Sequence, residues 1–513
     1  MKKLFALCLA LCLALSVFAC AAREPQQDAN SYQTNAPIPA PDAVAPDAAA
    51  PNYDFTEEPA SDWPEAAAPS ENAFISTREQ AISTFSADVD TASYTYWRKL
   101  VNQGYSLKSL IATAGSAIRT EEFVNYFDYD YVQPNAGELF GVHVEMAQCP
   151  WNESAVLMVL GLQTEAIQPT TGNNLVFLID VSGSMAAADK LVLLKESFSY
   201  LTEQLTENDV ISIVTYSGRE AVELDGCAGS DTEQILRCIN RLSANGSTNG
   251  QAGLSMAYQI AEKHFIQGGN NRIILASDGD LNVGITSDAA LEQYVSEMRG
   301  EGVYLSVLGF GTGNYRDSKM ETIADNGNGV YYYIDSIREA QKVFGKDLLA
   351  TLYTVAEDVK LQLTFDPEQV AEYRLIGYEN RLLATEDFLD DTKDAGEVGA
   401  GHTVTVCYEL QLTPDALLSE ADWMTLAIRY KQPGETMSLE NDYTIGGASY
   451  TREPDRDFAF VSALIELSML LRESAYGEKL TMEDVWAQLA PFDYSDDVYK
   501  AEFLSLLDQL TRA

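Results

Sequence analysis

The sequence predicts an α/β protein: a doubly wound, mostly parallel sheet inserted into a β-sandwich-like domain, with a helical C-terminal part. Three observations lead there. Between residues 174 and 355, short apolar runs alternate with helical stretches. Strands that are apolar throughout, with helices between them, form a parallel sheet covered on both faces. On either side of this block, strand-like runs occur without intervening helices, at 140–146 and 155–160 before it and at 359–365, 402–412 and 424–430 after it. Neither set alone makes a comfortable sandwich. The two are expected to pair across the block, whose ends must then lie close together. Finally, residues 458–472, 482–489 and 499–510 carry helical periodicity.

Taken in order, residues 1–20 read as an export leader. Lys2 and Lys3 precede an apolar stretch from Leu4 to Val17. Val17-Phe18-Ala19-Cys20 resembles a bacterial lipobox, with Phe18 where a smaller residue is usual, so Cys20 is the expected lipidation site. Cleavage nearby by an ordinary signal peptidase and retention of the apolar run as an anchor are the alternatives. All three place the bulk of the chain outside the cytoplasm; the lipoprotein reading places it in the cell envelope, touching the membrane only through the N-terminal lipid. Residues 21–81 are expected to be a disordered Pro/Ala-rich tether, since nine of the chain's 17 prolines fall before residue 76.

Residues 82–172 should be a flanking domain of helices and then strands. A helix is expected at 91–102, capped by Asp90, and an amphipathic one at 119–127. Residues 173–355 form the α/β block. Its strands are expected at 175–179, 210–215, 272–276, 303–310 and 330–334, and its helices at 190–205, 250–265, 289–299, 318–323 and 337–353. Residues 356–513 should be a second flank, strands first and helices last. No internal repeat occurs.

The net charge of −44 excludes nucleic acid as a partner, because no basic surface is available to neutralise phosphates. Outside the leader and Cys20, four cysteines remain: Cys149, Cys227, Cys238 and Cys407. They allow three full pairings, but so widely spaced a set is no disulfide framework, and buried free thiols are expected.

The first strand of the block runs into Asp180-Val181-Ser182-Gly183-Ser184. Ligand sites in open α/β sheets form at the carboxyl ends of strands. Two further segments end at that edge: Gly246-Ser247-Thr248-Asn249-Gly250, opening a helix, and Ser277-Asp278-Gly279, closing a strand. Together they offer only oxygen, which suits a hard cation such as Mg²⁺, Ca²⁺ or Mn²⁺. His143, His264 and His402 lie elsewhere in the sequence and read as structural.

In order and spacing, Asp180, Ser182, Ser184, Thr248 and Asp278 resemble the metal-ion-dependent adhesion site of von Willebrand factor type A domains. The resemblance implies one divalent cation, Mg²⁺ first with Mn²⁺ or Ca²⁺ as alternatives, held on surface loops and completed by an acidic side chain of a protein partner. It extends outward. Residues 83–94 and 119–129, Cys149-Pro150-Trp151-Asn152, Leu375 to Arg381 and Asp390 to Glu397 resemble the flanking domains of bacterial exported von Willebrand factor A proteins.

The implied role is a surface-anchored binding or adhesion protein. The alternative is an envelope assembly or scaffold factor working with an ATPase or another protein. An enzyme is not expected. Asp88-Val89-Asp90 resembles the nucleophile motif of haloacid dehalogenases, but Ala92 stands where a hydroxyl is required and no Gly-rich α/β scaffold surrounds it.

Overall fold

The computed structural model describes residues 70–166, 171–217, 220–245, 251–279, 288–311, 317–347, 350, 352–419 and 421–512. Cys20, the leader and residues 21–69 of the expected tether lie outside them. Order begins before the expected boundary at residue 82. β1 (Ile75–Ser76) already pairs with a strand of the C-terminal flank, Val370–Ile376, and the Asn72 side chain donates to the Leu375 and Gly377 carbonyls.

The N-terminal flank continues with β2 (Ile82–Ser86), α1 (Ala92–Asn102), α2 (Leu107–Ala114), α3 (Thr120–Val124), β3 (Phe140–Gln148) and β4 (Val156–Thr164). The block holds β5 (Asn173–Asp180), α4 (Leu193–Gln204), β6 (Val210–Tyr216), β7 (Glu220–Ala228), α5 (Thr232–Arg241), α6 (Gln251–Lys263), β8 (Asn270–Ser277), α7 (Asp288–Gly300), β9 (Tyr304–Phe310), α8 (Asp317–Asn326), β10 (Tyr331–Ile334) and α9 (Ile337–Gln341). The C-terminal flank adds β11 (Thr354–Phe365), β12 (Val370–Ile376), β13 (Gly396–Gly399), β14 (Thr403–Leu412), β15 (Asp422–Lys431), β16 (Ser438–Gly446), and helices α10 (Arg456–Arg472), α11 (Met482–Leu489) and α12 (Val498–Arg512).

The block is one sheet in the order β10-β9-β8-β5-β6-β7. Every neighbouring pair is parallel except β6–β7. β7 was not expected as a strand. Its residues are half exposed, Gly226 within it sits at φ +67°, and its pairing with β6 shifts register twice. It is an irregular antiparallel edge with no clean alternation to read.

The two flanks pair across the block, as expected. β4 lies antiparallel to β14, with Val156 opposite Leu410 and Gln163 opposite Thr403. β2 lies antiparallel to β11. One sheet runs β1-β12-β14-β4-β3, and the other runs β13-β11-β15-β16. All nine residues of β4 are buried, because the strand is covered on both faces. Met158, Leu160 and Leu162 join Leu361, Leu363 and Ile428 in the core between the sheets. Leu157 and Val159 face the other way, among Trp97, Phe123, Phe460 and Phe503 of the helices. Helices from both flanks thus form a layer over one sheet of the sandwich.

Several local expectations fail. α3 is short, and all five of its residues are buried, so it has no wet face. The stretch expected as one helix at 337–353 is interrupted: its first α-helical part ends at Gln341, a wider π-type turn follows at Lys342–Lys346, and residues 350 and 352 are α-helical again. Asp90 does not cap α1: the N-cap position is Thr91. The Asp90 carboxylate instead accepts from Arg381 Nη2 at 3.2 Å and from the Tyr331 N–H at 3.3 Å.

Ion pairs fasten the inserted domain to its frame. Arg98 of α1 binds Asp335 at 2.5 Å and Glu339 at 2.7 Å. Arg381 meets Asp88, Asp90, Glu321 and Asp325, all within 3.3 Å.

Candidate metal centre

β5 and β8 are parallel neighbours with Ile179 opposite Ala276. Asp180, the last residue of β5, and Asp278, one past the end of β8, therefore leave the sheet side by side. From β5 the chain first winds outward to β6, and later returns to place β8 on the other side of β5. The site sits where the winding reverses, at the crevice this topology opens for ligands.

The loop after β5 is organised by its own polar groups. Asp180 Oδ1 accepts the Ser182 N–H at 2.7 Å, and the Ser182 and Ser184 hydroxyls lie 2.9 Å apart. This is the short side-chain-to-backbone turn that an Asp favours. The Val181 N–H donates to the Tyr216 carbonyl at 3.0 Å, and the Asn245 N–H donates to the Val181 carbonyl at 2.7 Å. Ser217 Oγ donates to the Asn245 carbonyl at 2.5 Å. Thr248 lies outside the described residues, but the chain is pinned to the site at Asn245 before it, and α6 starts at Gln251 after it. Gly253 of α6 lets that helix approach closely, since a Cβ there would come within 2.7 Å of Tyr216 Cβ.

The ligand aspartates are not on an exposed rim, contrary to the expectation of surface loops. Asp180 is 0% and Asp278 2% exposed, and Ser182 is buried too, whereas Ser184 is exposed. Burial, followed by the charge of Asp180, holds the neighbouring Tyr216 hydroxyl well above its usual pKa.

Lys190 was not singled out in the sequence. Expected to open the helix at 190–205, it instead lies in a π-type turn, Ala188–Val192, ahead of α4. Its Nζ donates to Asp278 Oδ2 at 2.9 Å. Gly311, at φ +80°, leaves room for the lysine stem, which would lie 2.2 Å from a Cβ there. The preceding residue, Asp189, pairs with Lys99 of α1 at 2.9 Å. The signal available was a lysine shortly after an Asp-x-Ser-x-Ser loop, a position its long stem can bridge.

These residues fit a hard divalent ion. Asp278 Oδ1 is buried and has no hydrogen-bond partner among the described residues. Such an oxygen is costly to leave unmatched, and it faces an all-oxygen set free of Cys and His. The three histidines are engaged elsewhere: His264 bonds Asp225 at 2.7 Å, His143 stacks on Tyr131, and His402 stands at the start of β14. His402 is not the fully satisfied histidine expected, since its buried Nδ1 has no hydrogen-bond partner among the described residues. Cys149, Cys227, Cys238 and Cys407 are buried free thiols, as expected. Asp88 and Asp90 are 3% and 4% exposed and clamped by Arg381.

A family model for the von Willebrand factor type A domain matches residues 174–346. One described as von Willebrand factor matches residues 65–159, and one described as Uncharacterized protein YfbK, C-terminal, matches residues 350–512. The Escherichia coli (strain K12) protein of that name is 39% identical over 459 residues, covering 84% of this chain and 78% of its own. Human inter-alpha-trypsin inhibitor heavy chain H3 is 28% identical over 182 residues, 34% of this chain and 20% of that one. Among solved structures, von Willebrand factor type A from Catenulispora acidiphila aligns with a TM-score of 0.40 and 17% identity, over 66% of this chain and 80% of that one. The chain thus belongs to the YfbK family, with a von Willebrand factor type A domain at its centre and the YfbK C-terminal domain after it.

Proposed function

We propose that this chain is a non-enzymatic binding protein of the cell envelope, anchored through lipid on Cys20. Its inserted domain captures a protein partner through one divalent cation held by Asp180, Ser182, Ser184, Thr248 and Asp278. The observation that carries this reading is the buried, unmatched Asp278 Oδ1 beside Asp180 at the winding reversal. Two carboxylates and the Lys190 ammonium sum to −1, so a divalent ion leaves the site at +1. In a buried setting that residual charge attracts an anionic oxygen from outside. An Asp or Glu of the partner supplies it. The net charge of −44 opposes an acidic partner only at long range, since exposed charges are screened beyond ~8 Å at physiological salt. Contact at the ion decides affinity, and overall repulsion slows association at low salt. Mg²⁺ is the first choice of ion.

The test is a pull-down from native envelope in Mg²⁺, repeated in chelator and with Asp180→Ala, alongside calorimetric Mg²⁺ and Mn²⁺ titrations. Capture should vanish in chelator and in the variant. A folded Asp180→Ala chain that binds ion and partner like the parent would overturn the reading. Recovery of an ATPase in the Mg²⁺-dependent fraction would assign the chain to envelope assembly and not to adhesion.

A further inference from the structure

We propose a second divalent-cation site, suited to Ca²⁺, formed by Asp358, Asp394 and Glu397 where the C-terminal frame meets the inserted domain. Each offers a carboxylate oxygen, and these oxygens all lie within 4.8 Å of one another. Asp358 belongs to β11, at φ +52°, where pairing to both β13 and β15 slips register. Asp394 precedes β13, and Glu397 lies in it. β13 pairs with β11, which brings Glu397 and the preceding Asp394 beside Asp358. The string Asp390 to Glu397 is one the first metal centre leaves unused.

The observation that points to a ligand is Glu397. It is 8% exposed, and among the described residues its carboxylate has no hydrogen bond or ion pair, although it is aimed into the cluster. Its two neighbours already have counter-charges. Lys431 Nζ is 2.5 Å from Asp358 Oδ2, and Arg299 Nη1 is 3.0 Å from Asp394 Oδ1. The Ala395 N–H donates to Asp358 Oδ1 at 3.0 Å. Glu397 is the most enclosed member, and burial, followed by the charge of Asp394, holds its carboxyl well above the usual carboxylate range. An unmatched buried carboxylate is strongly unfavourable, and a cation between the three oxygens removes that cost.

The donor set selects the ion. Carboxylates alone, without Cys or His, disfavour Zn²⁺. Ca²⁺ tolerates an irregular shell completed by carbonyls and water, whereas Mg²⁺ demands near-octahedral geometry. The site is distinct from the first. Arg299 lies at the end of α7, where the chain returns to the start of β9, at the sheet edge opposite Asp180. An ion there strengthens the seam between the inserted domain and β11 and β13.

The test uses the full chain carrying Asp180→Ala, which disables the first centre, and Ca²⁺ alone as the probe. Calorimetry should show one Ca²⁺ per chain with a Kd of roughly 10⁻⁴–10⁻³ M, and thermal unfolding should move upward in Ca²⁺. Adding Glu397→Gln, or separately Asp394→Asn, should weaken binding at least tenfold and abolish the thermal shift, with circular dichroism confirming each fold. The absence of saturable Ca²⁺ binding in the Asp180→Ala chain overturns the proposal, as does unchanged binding after Glu397→Gln. If Glu397→Gln does not fold, Asp394→Asn decides in the same way.

Discussion

Lys190 Nζ stands 2.9 Å from Asp278 Oδ2, so the site carries a tethered cation on one of the two carboxylates meant for a metal. An ammonium there neutralises Asp278 when no ion is bound and repels a divalent ion when one arrives. Lys190→Met should therefore do two opposite things. In chelator the variant loses stability, by about 3 kcal/mol, because a buried carboxylate loses its partner. Its affinity for Mg²⁺ rises several-fold, by about 1 kcal/mol, after the discount for solvent and neighbouring dipoles. Calorimetry and chelator melts measure both. An affinity that stays equal or falls would mean that Lys190 supports the ion rather than competing with it.

The two aspartates and the two described serines should separate in their effects. Asp180→Ala removes one of two carboxylates and the acceptor of the Ser182 N–H, so Mg²⁺ binding should fall by two orders of magnitude or more. Ser184→Ala removes an exposed hydroxyl that lies 2.9 Å from Ser182 Oγ. It should cost roughly tenfold, about 1.4 kcal/mol, the scale of one neutral hydrogen-bonding group. Both chains should stay folded, the first because a buried charge is removed rather than created. Equal losses in the two titrations would contradict the assignment of the aspartates as the principal ligands.

Arg381 holds four carboxylates, from the N-terminal flank (Asp88, Asp90) and from α8 of the inserted domain (Glu321, Asp325). Burial first, and then the charge of Asp88, already pushes Asp90 well above the usual carboxylate range. Removing the guanidinium by Arg381→Ala should cost about 3–5 kcal/mol at pH 7, because it leaves uncompensated buried charge. The sign with pH follows from what Arg381 does to these groups: its charge opposes the upward shift of Asp90 and Asp325, so its removal raises their folded-state pKa values further. Below the unfolded value both states hold the proton, and above it the folded variant is penalised more than the parent. The deficit of the variant should shrink as pH falls from 7 toward 4. Urea unfolding at several pH values tests this, and a deficit independent of pH would show that lost packing dominates.

The sequence discloses what short-range pattern encodes. β4 reads as a strand because residues 155–160 are apolar throughout, and it is buried on both faces. Asp180, Ser182 and Ser184 are legible because the loop turns on its own hydrogen bonds. What stays hidden depends on distant partners. Asp90 looks like a helix cap until Arg381, 291 residues away, claims its carboxylate. β16, with the sequence Ser-Leu-Glu-Asn-Asp-Tyr-Thr-Ile-Gly, is largely exposed and is a strand only because β15 pairs with it along its length. Lys190 gains meaning only when β8 brings Asp278 beside it.

His402, at the head of β14, should set part of the chain's acid sensitivity. Its Nδ1 is buried without a hydrogen-bond partner among the described residues. Burial pushes its pKa down from 6.5 to about 4; the charge of Asp347 opposes the shift and that of Lys342 adds to it. Above pH 6.5 the imidazole is neutral in both states and contributes no pH dependence. Between 6.5 and 4 the unfolded chain takes up a proton that the folded chain refuses, so stability falls as pH drops. The full loss is about 3 kcal/mol, of which about 2 kcal/mol appears by pH 5. Glu466, raised to about 8 chiefly by burial, acts with the opposite sign, as its folded form keeps a proton that the unfolded chain releases. That contribution is common to parent and variant and cancels in their difference. His402→Asn should therefore be near neutral at pH 7.5, where it replaces one uncharged polar group by another. At pH 5 it should be more stable than the parent by about 2 kcal/mol, because its unfolded state has no proton to gain. Urea titrations of both chains at pH 7.5, 6 and 5 read this directly, and parallel stability profiles would show that His402 does not titrate differently on folding.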